Sequence, residues 1–178
     1  KLKLYVSLFE ISLCFLCIKA FICSENLYIH KNLRINGNNI MVIKIPPQVN
    51  RAVEILKNNG YSAYVVGGAV RDALMGKNPD DWDITTSALP EETLDAFADY
   101  RTIETGLKHG TVTVIIDGES LEITTYRIEK GYSDNRHPDR VEFTDRVDDD
   151  LSRRDFTVNA IAYSPSQGFA DPFGGQED

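Results

Sequence analysis

Cysteine is scarce: the three residues Cys14, Cys17 and Cys23 all fall within the first 23 positions. Residues 41–178 contain none, so that stretch has no disulfide framework. Cys14-x-x-Cys17 lacks both a second pair and a βαβ context, which argues against a zinc or redox site. A long uncharged hydrophobic run is also missing. Leu2–Cys23 is apolar but broken by Glu10 and Lys19, short of the roughly 20 apolar residues that a membrane helix needs. Lys1 and Lys3 ahead of it suit a signal peptide, yet no small-x-small cleavage site follows. Basic residues are in deficit, with 19 Lys and Arg against 27 Asp and Glu and a net charge of −8. That balance argues against broad, sequence-independent grip on a phosphate backbone, though it leaves room for a local basic site. Neither a G-x-G-x-x-G fingerprint nor a Walker loop is found. With 42% hydrophobic and 26% charged residues, the composition is that of a globular domain rather than a disordered chain.

The charge is unevenly spread. Residues 1–40 carry a net +3 and residues 41–178 a net −11. Together with the cysteine distribution, this makes residues 1–40 an expected non-native upstream extension, apolar and poorly structured, with Met41 as the natural start. Residues 41–172 are then expected to form one domain.

From Pro46 onward the periodicity is readable. Val49, Val53 and Leu56 line one helical face after Pro46-Pro47, and Asn58-Asn59-Gly60 ends that helix. Ser62–Val66 reads as a strand, Ala69–Met75 as a helix, Trp82–Thr85 as a strand and Pro90–Tyr100 as a helix. Arg101–Thr105, Thr111–Ile116 and Leu121–Ile128 read as strands, the last two joined at Asp117-Gly118. Glu129–Asp150 is predicted as a long polar loop, a length usual for functional segments. Phe156–Tyr163 is predicted as a short apolar helix.

Four segments carry chemistry. In Tyr64–Asp72 a strand runs into Gly67-Gly68 and then a helix. Glycines admit a phosphate close to the backbone, the helix start offers free N–H groups, and Arg71 can reach the same anion. The alternative is a plain tight turn with a surface arginine. Asp81-Trp82-Asp83-Ile84 alternates, so in a strand Asp81 and Asp83 share a face. Adjacent carboxylates repel unless a cation joins them. Mg²⁺ suits such oxygen ligands, and two ions can activate a hydroxyl and stabilise a leaving pyrophosphate. A solvated acidic strand end is the bland reading. Glu122, Thr124 and Tyr126 share a strand face. Glu122 can complete a metal site, accept a proton, or simply lie on the surface. Arg153-Arg154-Asp155 precedes the predicted helix and makes a second anion site, with Asp155 as an alternative helix cap. Asn159 can bond a ribose or base, or join Arg154 and Asp155 in a structural network.

In this order, Gly67-Gly68-Ala69-Val70-Arg71-Asp72, Asp81-x-Asp83, Glu122–Arg127 and Arg153-Arg154-Asp155-Phe156-Thr157-Val158-Asn159-Ala160 resemble the head of class II tRNA nucleotidyltransferases. These are the CCA-adding enzymes and related bacterial poly(A) polymerases of the polymerase β-like superfamily. The resemblance runs from about Pro46 to Asp178. It implies an α+β head, a small mixed β-sheet with helices mainly on one face. It implies that Asp81 and Asp83 hold two catalytic Mg²⁺ ions and that Glu122 is the acidic residue beside them. Nucleotide binding would fall to Gly67, Gly68, Arg71, Arg153, Arg154, Asp155 and Asn159. The segment Lys130–Asp150, with Tyr132, Asp134, Arg136 and Pro138, is similar to the family's mobile loop.

The implied reaction is template-independent transfer of CMP and AMP from CTP and ATP to the 3′ end of tRNA, in the cytoplasm and without a membrane. A poly(A) polymerase or a CC-only or A-only relative would use the same residues, and a non-catalytic nucleotide- or RNA-binding module is a further reading. Asp171–Gly175 looks like the link toward a neck domain that reads CTP and ATP. The head alone is therefore expected to bind triphosphate weakly and to discriminate poorly.

Overall fold

A computed structural model describes residues 43–130 and 140–178. The expected upstream extension and its cysteines lie outside the described residues, as do Tyr132, Asp134, Arg136 and Pro138 of the predicted loop.

Helix α1 (Pro47–Asn58) starts with proline at its first turn and buries Val49, Ala52, Val53 and Leu56, a stripe at the 3.6-residue period. Burying a side chain such as Leu56, fully enclosed here, is worth about 1.5–3 kcal/mol. Strand β1 (Ala63–Val66) leads through Gly67 into helix α2 (Gly68–Leu74). Strand β2 (Asp83–Thr86) and helix α3 (Pro90–Ala96) follow. Glu91 and Glu92 occupy the first turn of α3, where its dipole favours them. Next come β3 (Arg101–Ile103), β4 (Thr111–Ile116) and β5 (Glu119–Thr125). The chain continues through β6 (Arg127–Lys130), β7 (Arg140–Phe143) and helix α4 (Val147–Ser152). It ends with β8 (Ala162–Ser164) and β9 (Gly168–Ala170).

Seven strands form one sheet in the order β3-β4-β5-β2-β1-β8-β9, and β6 with β7 makes a separate ribbon. Within the large sheet β2 and β5 run parallel and every other pair is antiparallel. The alternation of strand side chains assigns the two faces. Val65, Ile84, Val112, Val114, Ile116 and Ile123 point into the main core with α1, α2 and the end of α3. Val66 and Ala162 point the other way, where Leu151 of α4 packs on them. Three of the four helices therefore share a face, and α4 alone covers the opposite one. Among the described residues no helix is long and apolar enough to cross a membrane.

Four local expectations are corrected. The predicted helix Phe156–Tyr163 is a 3-10 turn at Thr157–Asn159 followed by β8. Phe156 has φ 62°, which no helix accepts, and pairing of Ala162 and Tyr163 with β1 overrides the local apolar signal. The predicted strand Leu121–Ile128 divides at Tyr126, whose N–H donates to Thr86 O and whose carbonyl accepts from Thr144 N–H. The predicted loop Glu129–Asp150 contains β7 and most of α4. Helix α3 also stops earlier than expected, at Ala96, with Phe97 turning into the core.

Candidate active site

β1 and β2 pair with Val66 opposite Asp83, so the glycine turn begins beside the aspartate. Gly67 has φ 77° and ψ −141°, a conformation that a Cβ makes costly. Its N–H donates to Ile161 O at 3.2 Å, anchoring the turn to the segment that enters β8. No side chain caps α2, and the first N–H groups of a helix have no partner within it.

Asp81, Trp82, Asp83 and Ile84 alternate as expected: both aspartates are exposed, and Trp82 and Ile84 are buried. Only Asp83 belongs to the strand itself, and Asp81 lies just ahead of it. In the parallel pairing of β2 with β5, Ile84 stands opposite Ile123, so Asp83 and Glu122 are side by side one position earlier. Asp81, Asp83 and Glu122 line one pocket of about 710 Å³, together with Asp80 and Glu119. Although Asp83 is open to that pocket, the protein packed around it strips away water and raises its pKa. The Arg154 guanidinium opposes the shift and Asp81 adds to it.

Among the described residues no three His, Cys, Asp or Glu side chains converge into a metal-holding group. Asp81 and Asp83 nevertheless fit a hard divalent ion: both are oxygen donors, and their mutual repulsion is what a cation relieves. One or two carboxylates plus substrate phosphates and water is an ordinary Mg²⁺ set.

Two guanidiniums face the glycine turn. Arg71 lies over Gly68, with Nη2 3.5 Å from where a Cβ would stand. It donates through Nε to Asp72 Oδ1 at 3.0 Å and through Nη1 to Asn159 Oδ1 at 2.5 Å. Arg154 brings Nη1 to 3.3 Å from the same imaginary atom on Gly67. The 3-10 turn that carries Asn159 is backed by Gly175, where any Cβ would collide with the Thr157 carbonyl. Asp171 accepts from Gly175 N–H at 2.8 Å and from Gln176 N–H at 3.0 Å, holding that segment in place.

The expectation that Arg153 and Arg154 flank a helix N-terminus is corrected: they follow the C-terminus of α4, with Arg153 as its C-cap. A helix C-terminus favours cations. Asp155 therefore caps no helix, and it is exposed. Arg153 forms ion pairs with Asp150 at 2.9 Å and Glu129 at 3.1 Å. Glu129 also pairs with Arg127 at 2.8 Å, tying the β6–β7 ribbon to α4.

Sequence reasoning missed Asp150, which is wholly buried. The available signal was the spacing Asp150-x-x-Arg153-Arg154, which places both arginines one helical turn from the carboxylate.

The chain belongs to the Poly A polymerase head domain family, whose model it matches over residues 63–178. It is 49% identical over 142 residues to a CCA-adding enzyme of Lactobacillus helveticus, covering 78% of this chain and 35% of that one. A CCA-adding enzyme of Geobacillus kaustophilus is 52% identical over 122 residues, covering 68% and 30%. Among solved structures, the Bacillus stearothermophilus CCA-adding enzyme in complex with CTP superposes with a TM-score of 0.65 at 43% identity, covering 75% of this chain and 32% of that chain. A tRNA nucleotidyltransferase complexed with a primer tRNA and an incoming ATP analog gives 0.55 at 32% identity, covering 71% and 36%. The chain spans about a third of the length of the curated relatives it matches.

Gly67→Ala is expected to cost about 1–3 kcal/mol through backbone strain and to shift the Arg154 guanidinium by a few tenths of an ångström. Thermal melting and CTP titration of the variant read the two effects separately. CTP affinity equal to the parent would contradict the close approach.

Proposed function

We propose that this head catalyses nucleotidyl transfer within a CCA-adding enzyme, placing CMP and AMP from CTP and ATP on the 3′ end of tRNA and releasing pyrophosphate. The observation that carries the reading is Arg154, which approaches Gly67 and also influences Asp83. A triphosphate laid on the glycine turn meets a guanidinium on one side and the carboxylates on the other. The relatives named above support tRNA, CTP and ATP as partners, and a tRNA-processing role is consistent with the cytoplasm.

Asp81 and Asp83 would hold Mg²⁺, two ions by the family resemblance. Bound there, the metal supplies positive charge to the reacting phosphate and lowers the pKa of the attacking hydroxyl. Gly67 and Gly68 let the phosphates approach the backbone, and Arg71 and Arg154 neutralise them. Glu122, beside Asp83, would accept the proton of the tRNA 3′-hydroxyl as it attacks the α-phosphate. Asn159 holds Arg71 in position through Oδ1 and keeps its side-chain N–H groups for the nucleotide. The head would occupy residues 41–172, with residues 173–178 leading toward the parts that select CTP or ATP and grip tRNA. An acidic head needs basic surface elsewhere for that grip.

The test is incorporation by the full-length protein carrying this head. It would be supplied with tRNA ending before CCA, Mg²⁺, and labelled CTP and ATP singly and together. Addition of two C and one A is expected. A long A tail would move the protein to the poly(A) polymerases, which share this head family, and addition of C alone or A alone would move it to a specialist.

A further inference from the structure

We propose that Asp150 is a positioning residue for nucleotide transfer, setting where the Arg154 guanidinium stands between the Gly67 turn and Asp83. The inference rests on the function proposed above. Asp150 is wholly buried, and its two oxygens gather groups from three parts of the chain. Oδ1 accepts from Arg153 Nε at 3.0 Å and from the Arg127 backbone N–H at 3.3 Å. Oδ2 accepts from Thr85 Oγ1 at 3.1 Å and from Arg154 Nη2 at 3.4 Å.

The division between the oxygens matters. Thr85 stands two residues after Asp83 on β2, on the same face of the sheet. A single atom, Oδ2, therefore joins the strand that carries Asp83 to the guanidinium that meets the glycine turn. The other oxygen fixes the carboxylate itself through the tighter Arg153 pair.

The grip on Arg154 is deliberately incomplete in its chemistry. An ionised pair at its best distance lies near 2.7–2.9 Å and is often bidentate, whereas Asp150 holds one nitrogen at 3.4 Å. Arg154 Nε is buried and has no hydrogen-bond partner among the described residues. Nη1 is turned toward Gly67. A full two-pronged salt bridge would consume the donors that a phosphate needs. One-point attachment orients the group and leaves the Nη1 donors beside Gly67 for the substrate. Burial also works against the guanidinium's charge, and Asp150 opposes that effect.

The test uses the full-length protein. Calorimetric titration of the parent with CTP and ATP comes first, because absence of nucleotide binding would overturn the proposed function and this inference with it. With binding in hand, Asp150→Asn keeps the size of the side chain and removes its charge. It is expected to lower kcat/KM for nucleotide by about 10- to 100-fold, the usual cost of misplacing a reacting partner. The loss should appear as a raised KM for CTP and ATP with the KM for tRNA unchanged. The decisive readout is the double variant: in an Arg154→Ala background, Asp150→Asn should produce no further loss. Additive losses, or parental nucleotide KM in a folded Asp150→Asn protein, would overturn the proposal. Should that variant fail to fold, Thr85→Val removes one hydroxyl from Oδ2 and keeps the volume. Its smaller rise in nucleotide KM should likewise vanish in the Arg154→Ala background, and a rise that persists there, or none at all, would overturn the proposal.

Discussion

Asp83→Asn is expected to abolish transfer while raising the melting temperature. The amide keeps the shape of the side chain but cannot match a carboxylate as a ligand for a divalent ion. Loss of the metal's charge stabilisation, several kcal/mol, corresponds to about 10³-fold in rate. Stability moves the other way. Packing around Asp83 raises its pKa, against the pull of Arg154 and with the push of Asp81. The folded protein then binds that proton more tightly than the unfolded chain does. The cost of ionising Asp83 in the fold is fully present above its raised pKa. It fades as the pH falls through that value toward 3.8, the ordinary carboxyl figure. In metal-free buffer the asparagine variant should melt above the parent at pH 7, and the gap should close on acidification. A variant that melts below the parent at pH 7, or loses far less than about 10³-fold in rate, would sink the assignment.

The adjacent arginines are expected to fail in different ways. Arg154→Ala should lower kcat/KM for nucleotide by at least about 10²-fold, as removal of one charge-stabilising donor does, with a modest effect on unfolding. Arg153→Ala should instead destabilise the fold by about 3–5 kcal/mol, the usual result of stripping one partner from a buried ion pair. Its side chain is only 16% exposed and bridges the fully buried Asp150 to Glu129. Family resemblance places both arginines at the nucleotide, and this pair of variants separates them. Urea unfolding and nucleotide KM, measured on each, are the two readouts. Equal kinetic defects with equal stabilities would return Arg153 to the binding site.

The glycine turn, Arg71 and the paired aspartates were legible because each rests on local chemistry: a backbone conformation, a helix start and a two-residue alternation. The sheet's long partnerships were not. Ala162-Tyr163-Ser164 carries no strand signal strong enough to outweigh its apolar neighbours, and only β1 makes it a strand. Asp150 was hidden for a related reason. It sits in an acidic run, Asp148-Asp149-Asp150, where charge suggests solvent. Only the arginines one turn later and Thr85, 65 positions earlier, make burial tolerable. Glu122 lay between these cases: its strand was readable, while its place beside Asp83 depended on a parallel pairing that no local pattern announces.

The position of β1 between β2 and β8 has a consequence for synthesis on the ribosome. β2 emerges well before β8, and at about 5–20 residues per second the interval is roughly 4–15 s. Throughout it, one edge of β1 has no neighbour, and unpaired edges recruit other strands. The nascent head is thus most exposed to aggregation while its aspartates are already made and its arginine clamp is not. Arrival of residues 150–164 would at once close the edge and complete the site.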